Sequence, residues 1–151
     1  MLRDPSLIPL SHQHQHGLAL CVLIRRSLGA DGSAANVGKL AQRAVDRYEL
    51  ELTNHFEIEE QIVFPAVVEL MGETTIVGEL IADHREMEAL IARLRTTPTA
   101  ALLEEFCELL TRHIRREENE LFQDIQQRLP KDVLAAAGKQ IDAQAVRVCF
   151  S

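Results

Sequence analysis

Residues 55–65 read HFEIEEQIVFP, and residues 113–122 read HIRREENELF. Each stretch places a glutamate four residues after a histidine, so that in a helix the two side chains lie one turn apart on the same face. An imidazole nitrogen and a carboxylate oxygen together suit divalent iron, zinc or manganese better than calcium or magnesium. The two stretches therefore predict two helices that each offer a pair of metal ligands, His55 with Glu59 on the earlier one.

The later stretch leaves the identity of its carboxylate ligand open. Glu117 follows His113 by four residues and Glu118 follows it by five. Helical phase slightly favours Glu117, whereas a locally unwound turn, which is common at functional sites, brings Glu118 round to the same face. Phe106 and Leu110 lie on the face of His113 and turn it toward a core. Both glutamates are therefore candidate ligands.

A single histidine, His84, falls on an apolar stripe between these two stretches. Glu88 lies one turn later at the edge of the stripe and is a further candidate ligand, whereas Asp83 is expected to face water. A lone histidine on an apolar stripe is more often a hydrogen-bonded core residue than a ligand. The stripe consists of Val77, Leu80, His84, Met87 and Ile91.

Three histidines, His12, His14 and His16, stand near the start of the chain. Arg25 and Arg26 mark the solvent-exposed face of the helix that contains these histidines. Helical periodicity along the opposite, apolar face leads back to His16, with His12 one turn earlier. The backbone near a helix start need not be regular, which weakens an argument from phase. A frayed polar terminus is the alternative interpretation.

The combination of these motifs is more informative than any one of them. Four helices each bring a histidine inward and two add carboxylates, so that a bundle of them buries several polar or charged groups at one level. Each unpaired buried charge costs several kcal/mol or neutralises instead. A shared cluster of cations resolves this conflict.

Hydrophobic periodicity and chain-breaking residues divide the chain into five helices. Pro65 is expected to kink the second helix, and Gly72 is expected to end it. Long amphipathic helices joined by short loops favour an all-α, up-down-up-down four-helix bundle, with the short fifth helix packed outside it. The predicted helices cover residues 11–28, 34–71, 75–95, 100–129 and 131–144.

Composition excludes several classes of protein. The 151 residues fit one domain, and a net charge of −7 without a cluster of lysine and arginine argues against a nucleic-acid partner. No apolar stretch reaches membrane-spanning length and no secretory leader stands at the start, so we expect a cytoplasmic protein without a membrane partner. Cys21, Cys107 and Cys149 are widely spaced and are expected to stay reduced, the first two as core packing.

With these residues in place, the chain resembles the hemerythrin-like, or HHE cation-binding, domain family. The resemblance rests on the order of a first-helix histidine, HxxxE at 55–59, a third-helix histidine and HxxxxE at 113–118, and it runs from about residue 9 to 129. It implies a single domain over 1–151, with the bundle at about 10–129 and a short helix and tail at 130–151. It also implies a non-haem di-iron centre that interacts with dioxygen or a related small oxidant.

The resemblance implies a role for each candidate ligand. Glu59 and Glu118 would bridge two iron ions, for which zinc or manganese can substitute. His55 and one of the three first-helix histidines would bind one ion, and His84 and His113 would bind the other. No catalytic residue is implied.

The resemblance differs from helical phase in one detail, and this chain departs from the family in another. It places the first-helix ligand nearer His14, whereas helical phase points to His16, so that both are candidates. Oxygen-carrying members of the family have HxxxH on the third helix, where this chain has His84 and Glu88, and carboxylate donation stabilises ferric iron. We therefore expect a protein that binds, senses or reduces dioxygen, peroxide or nitric oxide, with or without enzymatic turnover. A non-catalytic bundle that binds iron or a protein partner is the alternative.

Overall fold

The computed structural model describes residues 2–148, so that the prediction for Cys149 lies outside the described residues. Within this range the chain consists of helices and loops and has no strand, which confirms the all-helical prediction. We number the helices α1 to α5 along the chain. They are α1 (Ile8–Ala30), α2 (34–71), α3 (Thr74–Thr96), α4 (100–128) and α5 (Lys131–Gln144).

Helix α1 begins at Ile8, three residues before the predicted start at Ser11. A 3₁₀ turn, Pro5–Leu7, leads into the helix, and the Asp4 side chain accepts a hydrogen bond from the Ser6 N–H at its start. Pro9 fits the first turn of α1 because its missing N–H would have no helical partner there. The predicted start was wrong because Ser11 was taken as the cap.

Helix α2 is continuous over its predicted length, but two of its turns are π-helical. These turns are Tyr48–Leu52 and Glu59–Val63, and the second ends two residues before Pro65. A π turn widens the hydrogen-bonding pattern and so accommodates the proline that was expected to kink the helix. Ser33 caps the start, and Gly72, with φ of 70°, ends the helix in the left-handed conformation.

Helix α4 also contains a π-helical turn, at Glu117–Leu121, between the α-helical stretches Ala100–Arg116 and Phe122–Arg128. The Thr99 hydroxyl accepts a hydrogen bond from the Leu102 N–H and caps its start. Pro130 follows the helix and precedes α5. The predicted end at residue 129 is therefore correct to within one residue.

The four long helices pack in chain order, α1 against α2, α2 against α3 and α3 against α4, and α4 returns to α1. Their inward faces form two separate apolar clusters. On α1, Leu10 belongs to one cluster and Leu20 to the other; on α3, Leu80 and Met87 are divided in the same way. A layer of buried polar side chains lies between the two clusters.

Helix α5 packs against the 3₁₀ turn at the start of the chain and against the π turn Glu59–Val63 of α2. Leu134 and Ile141 carry its apolar face into the nearer cluster. Cys21 and Cys107 are buried in the other cluster and form no disulfide. None of the helices within residues 2–148 is both long enough and apolar enough to cross a membrane.

Candidate metal centre

Six side chains from the four long helices meet in the polar layer, and none of them is more than 3 % exposed. Each of the four helices contributes at least one histidine, and α2 and α4 each add a glutamate. The six residues are His14, His55, Glu59, His84, His113 and Glu117. We call them the paired cluster.

The six residues form two overlapping sets of four that could each hold a metal ion. One set adds His14 and His55 to the two glutamates, and the other adds His84 and His113. Within each set the ligand atoms lie within 4.8 Å of one another. Glu59 and Glu117 belong to both sets, so the arrangement suits two ions that share two carboxylates.

The nitrogen-to-oxygen distances in the paired cluster match those of ligands on a common ion. Two ligands that are each about 2.1 Å from one ion lie about 3.0–3.4 Å apart at tetrahedral or octahedral angles. The shortest imidazole-to-carboxylate distances here are His14 Nε2 to Glu117 Oε1 at 2.9 Å, His84 Nε2 to Glu59 Oε1 at 3.1 Å, His113 Nε2 to Glu117 Oε1 at 3.4 Å and His55 Nε2 to Glu59 Oε1 at 3.5 Å.

Several atoms of the paired cluster have no hydrogen-bond partner. Among residues 2–148, six buried side-chain nitrogens or oxygens are unpartnered, and four of these belong to the cluster. An unsatisfied buried polar group costs about 1–3 kcal/mol. Cations would satisfy all four at once, so the residues fit a metal pair. The four atoms are His55 Nε2, His113 Nε2, Glu59 Oε2 and Glu117 Oε2.

Every histidine of the paired cluster turns Nε2 toward the shared carboxylates and donates from Nδ1 to an outer acceptor. Such outer acceptors fix the ring orientation of a metal ligand and raise its basicity. Three acceptors are carboxylates and one is an amide. The pairs are His14 with Glu118 Oε2 at 2.7 Å, His55 with Gln13 Oε1 at 2.9 Å, His84 with Glu60 Oε2 at 2.8 Å and His113 with Asp83 Oδ2 at 2.9 Å.

Charge pairing sets the protonation of the paired cluster. Burial lowers the pKa of His55, but the charges of Glu59 and Glu117 and hydrogen bonds to them outweigh burial and raise it to about 9. His113 shifts in the same direction, with its pKa raised well above the usual value despite burial. Burial raises the pKa of Glu117, but His113 and neighbouring hydrogen bonds hold it well below the usual value. When no metal ion is bound, protons on His55 and His113 therefore compensate the negative charge of the buried carboxylates.

The structure places Glu117, and not Glu118, in the set shared by both halves of the cluster. The π turn of α4 begins at Glu117, so the helix between His113 and Glu117 keeps its regular spacing. Glu118 is 26 % exposed, accepts from His14 and Ser11 and pairs with Arg3. The structure therefore does not bring Glu118 to the position predicted for a shared carboxylate, because the π turn begins at Glu117 and does not lie between His113 and Glu117.

Of the first-helix histidines, His14 lies in the paired cluster and His16 does not. The buried face of α1 includes Leu10, His14, Gly17, Cys21 and Ile24. Helical phase pointed to His16 because Leu20 was taken to mark the buried face, whereas the small residues Gly17 and Cys21 also lie on it. At Gly17 the absence of a side chain allows close packing, since a Cβ there would lie 3.1 Å from Ile114 Cδ1.

Helix α3 supplies one ligand candidate to the cluster, His84. The other candidate, Glu88, is 60 % exposed and pairs with Arg85, so the structure does not bring it to the cluster. Asp83 was expected to face water but accepts from His113, while Glu60 pairs with both His84 and Arg85. Sequence reasoning missed Asp83, Glu60 and Gln13 as outer acceptors because their partners lie on other helices.

Comparison with known proteins adds an independent finding. The sequence model of the hemerythrin HHE cation-binding domain matches residues 9–125. No curated protein matches the chain. The matched residues make up most of the chain and include all six members of the paired cluster. The chain therefore belongs to the hemerythrin HHE cation-binding domain family.

Proposed function

We propose that the protein is a non-haem di-iron protein that binds, senses or reduces dioxygen, peroxide or nitric oxide. The observation that carries the proposal is the pair of four-residue sets that share Glu59 and Glu117. His14 and His55 would hold one ion, and His84 and His113 the other. We also propose that α1 to α4 form an up-down-up-down bundle and that the protein acts in the cytoplasm.

The donor set suits iron. Neither set contains a thiolate, and each combines two imidazoles with two carboxylates. Such mixed nitrogen and oxygen sites suit iron with open coordination positions, and shared anionic oxygens stabilise its ferric state. Zinc or manganese could occupy the same ligands. An iron pair, when bound, supplies the electrons that reduce a small oxidant.

The surrounding residues would support this chemistry in defined ways. Asp83, Glu60 and Glu118 accept from the Nδ1–H groups of their histidines and thereby keep each Nε2 turned inward. The apolar clusters on both sides exclude water from the polar layer. A surface cavity of about 330 Å³, lined in part by His84 and Phe56, offers an approach for a small molecule.

Simple reversible oxygen carriage is not the reaction we propose. Oxygen-carrying members of the family have a second histidine on the third helix, and Glu88, which stands at that position here, is exposed and paired with Arg85. The His84 and His113 half of the cluster therefore offers fewer protein ligands than a carrier does.

Anaerobic loading with ferrous iron, followed by air, peroxide or nitric oxide in an absorption spectrometer, tests the proposal. We expect new near-ultraviolet absorption from ferric iron within one turnover after an oxidant is added. Iron-loaded protein whose spectrum does not respond to any of the three ligands would contradict it.

A non-catalytic iron sensor is the second candidate. All six cluster residues are at most 3 % exposed, which favours a diatomic or peroxide ligand over an organic substrate. Oxidation in a single turnover, without continued consumption of peroxide in the presence of a reductant, would favour the sensor. Continued consumption would favour an oxidase or peroxidase.

A further inference from the structure

A second group of potential ligands lies outside the paired cluster, around Glu51. The Glu51 side chain is fully buried, and its Oε2 lies 2.8 Å from His16 Nδ1. Its other oxygen, Oε1, is buried and has no hydrogen-bond partner. Although the carboxylate interacts electrostatically with Arg47, a buried oxygen without a hydrogen bond is costly.

A surface cavity of about 180 Å³ opens beside this carboxylate. Glu51 lines it together with His12 and His16, which are four residues apart on α1. Histidines at this spacing lie on one face of a helix and can bind one cation between them. The cavity is large enough for an ion that keeps some of its water, since a water molecule takes up about 30 Å³.

The backbone around Glu51 resembles that around the shared carboxylates. Among the described residues, three glutamates have no exposed surface, and each lies in one of the three π-helical turns. Two of them, Glu59 and Glu117, belong to the paired cluster. Glu51 lies in the remaining turn, and such turns occur frequently at functional sites.

We propose that His12, His16 and Glu51 bind a third divalent cation, of the zinc or ferrous iron type, in this cavity. The site is separate from the paired cluster and does not depend on the function proposed for that cluster. The 2.8 Å distance between His16 Nδ1 and Glu51 Oε2 needs to open only slightly, because two ligands on one ion lie about 3.0–3.4 Å apart. The exposed His12 ring must turn toward them when the cation binds, since the ligand atoms of the three residues do not all lie within 4.8 Å of one another.

Positive groups near the cavity weaken this third site relative to the paired cluster. Arg47 interacts electrostatically with Glu51, and Arg147 lines the cavity while it pairs with Asp142. Repulsion between these guanidinium groups and a cation reduces affinity. The third cation should therefore bind more weakly than the pair and exchange with solvent more readily.

Equilibrium dialysis of iron-loaded protein against Zn²⁺ tests the proposal. Wild-type protein should bind one zinc ion per chain more than Glu51→Gln, which keeps the shape of the side chain and removes its charge. Glu49→Gln is the matched control, because it removes an exposed carboxylate from the same π turn, and it should bind as wild type does. Equal zinc binding by wild type and Glu51→Gln, or equal loss in both variants, would overturn the proposal.

His12→Gln provides a second test, because His12 is exposed on α1 and its replacement leaves the core intact. We expect this variant to bind the additional zinc at least tenfold more weakly, and unchanged affinity would overturn the three-residue site. If the paired cluster does not hold iron, zinc will fill it equally in every variant. The difference between wild type and Glu51→Gln then still measures the third site.

Discussion

Each histidine of the paired cluster uses its two ring nitrogens for different partners. Nε2 turns toward Glu59 or Glu117, and Nδ1 donates to an outer acceptor. For His55 the acceptor is Gln13, whose amide donates in turn to Asn54. Substitutions of the shared carboxylates and of the outer acceptors should therefore differ in their effects.

Glu59→Gln should lose both iron ions together. The variant keeps the size of the side chain but replaces a shared anionic oxygen with a neutral amide, so that each half of the cluster loses a ligand charge. Iron content by mass spectrometry should fall from two per chain to none. Glu57→Gln, an exposed carboxylate two residues away, is the control and should retain both ions. A full pair of ions in Glu59→Gln would rule out the shared role.

Glu117→Gln and Glu118→Gln should separate a ligand from an outer acceptor. Glu117 lies in both sets of the cluster, and its loss should remove both ions. Glu118 accepts from His14, and loss of such a partner typically weakens metal binding about 10–100-fold without abolishing it. Iron titrations followed by absorption would measure both effects. The opposite order of severity would show that Glu118 is the ligand.

Membership of the paired cluster could be predicted for four of its residues and was left open for the other two. His55, Glu59, His84 and His113 could be predicted because each has an apolar helical face or a partner four residues away. His14 and Glu117 could not be separated from their neighbours by phase alone. The choice of His14 depends on small buried residues in α1, and the choice of Glu117 depends on where the π turn of α4 begins. Both features become visible only when the helices are packed together.

At the scale of helices, the π-helical turns in α2 and α4 position the buried glutamates. Two of these turns begin at Glu59 and Glu117, one turn after His55 and His113. Each adds a residue to the turn and restores the apolar face that continues into the next cluster. The helices and their ends could be predicted from periodicity, proline and glycine. The π turns could not, because apolar periodicity does not distinguish a single π turn from the α-helix around it.

The end of α2 depends on the backbone conformation of Gly72. Gly72 has φ of 70°, and no atom lies within 4 Å of where a Cβ would stand. Gly72→Ala should therefore act through the backbone alone and cost about 1–2 kcal/mol, since a left-handed conformation penalises a side chain. For a chain of this length this corresponds to a melting temperature lower by about 2–8 °C.

Gly78→Ala is the matched control for this prediction. Gly78 lies inside α3 with open space around it, and alanine there should stabilise the helix by about 0.5–1 kcal/mol. Thermal melts of both variants followed by circular dichroism would measure the difference. Shifts in the same direction would show that the left-handed conformation at Gly72 does not control the end of α2.

For the whole molecule, the polar layer divides the core and couples stability to metal and protons. In metal-free protein, the raised pKa values of His55 and His113 contribute stability that is complete below pH 6.5. The contribution of His55 is lost as pH rises through its pKa of about 9, and that of His113 is lost in the same direction. The lowered pKa values of Glu59 and Glu117 contribute stability above pH 4.5 that is lost as pH falls. Metal-free protein should therefore be most stable between these two limits.

Iron-loaded protein should respond to pH in the opposite sense, because protons compete with iron for imidazole. The gap in melting temperature between iron-loaded and chelated protein should widen from pH 6 to pH 8.5. Binding at a free-metal excess of about a thousandfold over the dissociation constant adds roughly 4 kcal/mol to stability. Thermal melts at the two pH values measure the gap. A gap that is absent, or larger at pH 6, would contradict this account.

The all-helical fold and the order of its helices followed from the sequence because apolar stripes and chain breaks are local features. The packing of α5 on the 3₁₀ turn Pro5–Leu7 did not, since a contact between the two ends of the chain depends on the finished bundle. The division of the core into two apolar clusters also follows only from the assembled helices. The six side chains of the paired cluster lie together between these two apolar clusters.

We expect Glu59 and Glu117 to be shared by two iron ions. Anaerobic titration of metal-free protein with ferrous iron, followed by removal of unbound iron and mass spectrometry, measures how many ions the shared carboxylates hold. We predict two iron ions per chain, bound together in wild type and both absent from Glu117→Gln. A single ion per chain, or one ion retained in Glu117→Gln, would contradict the account.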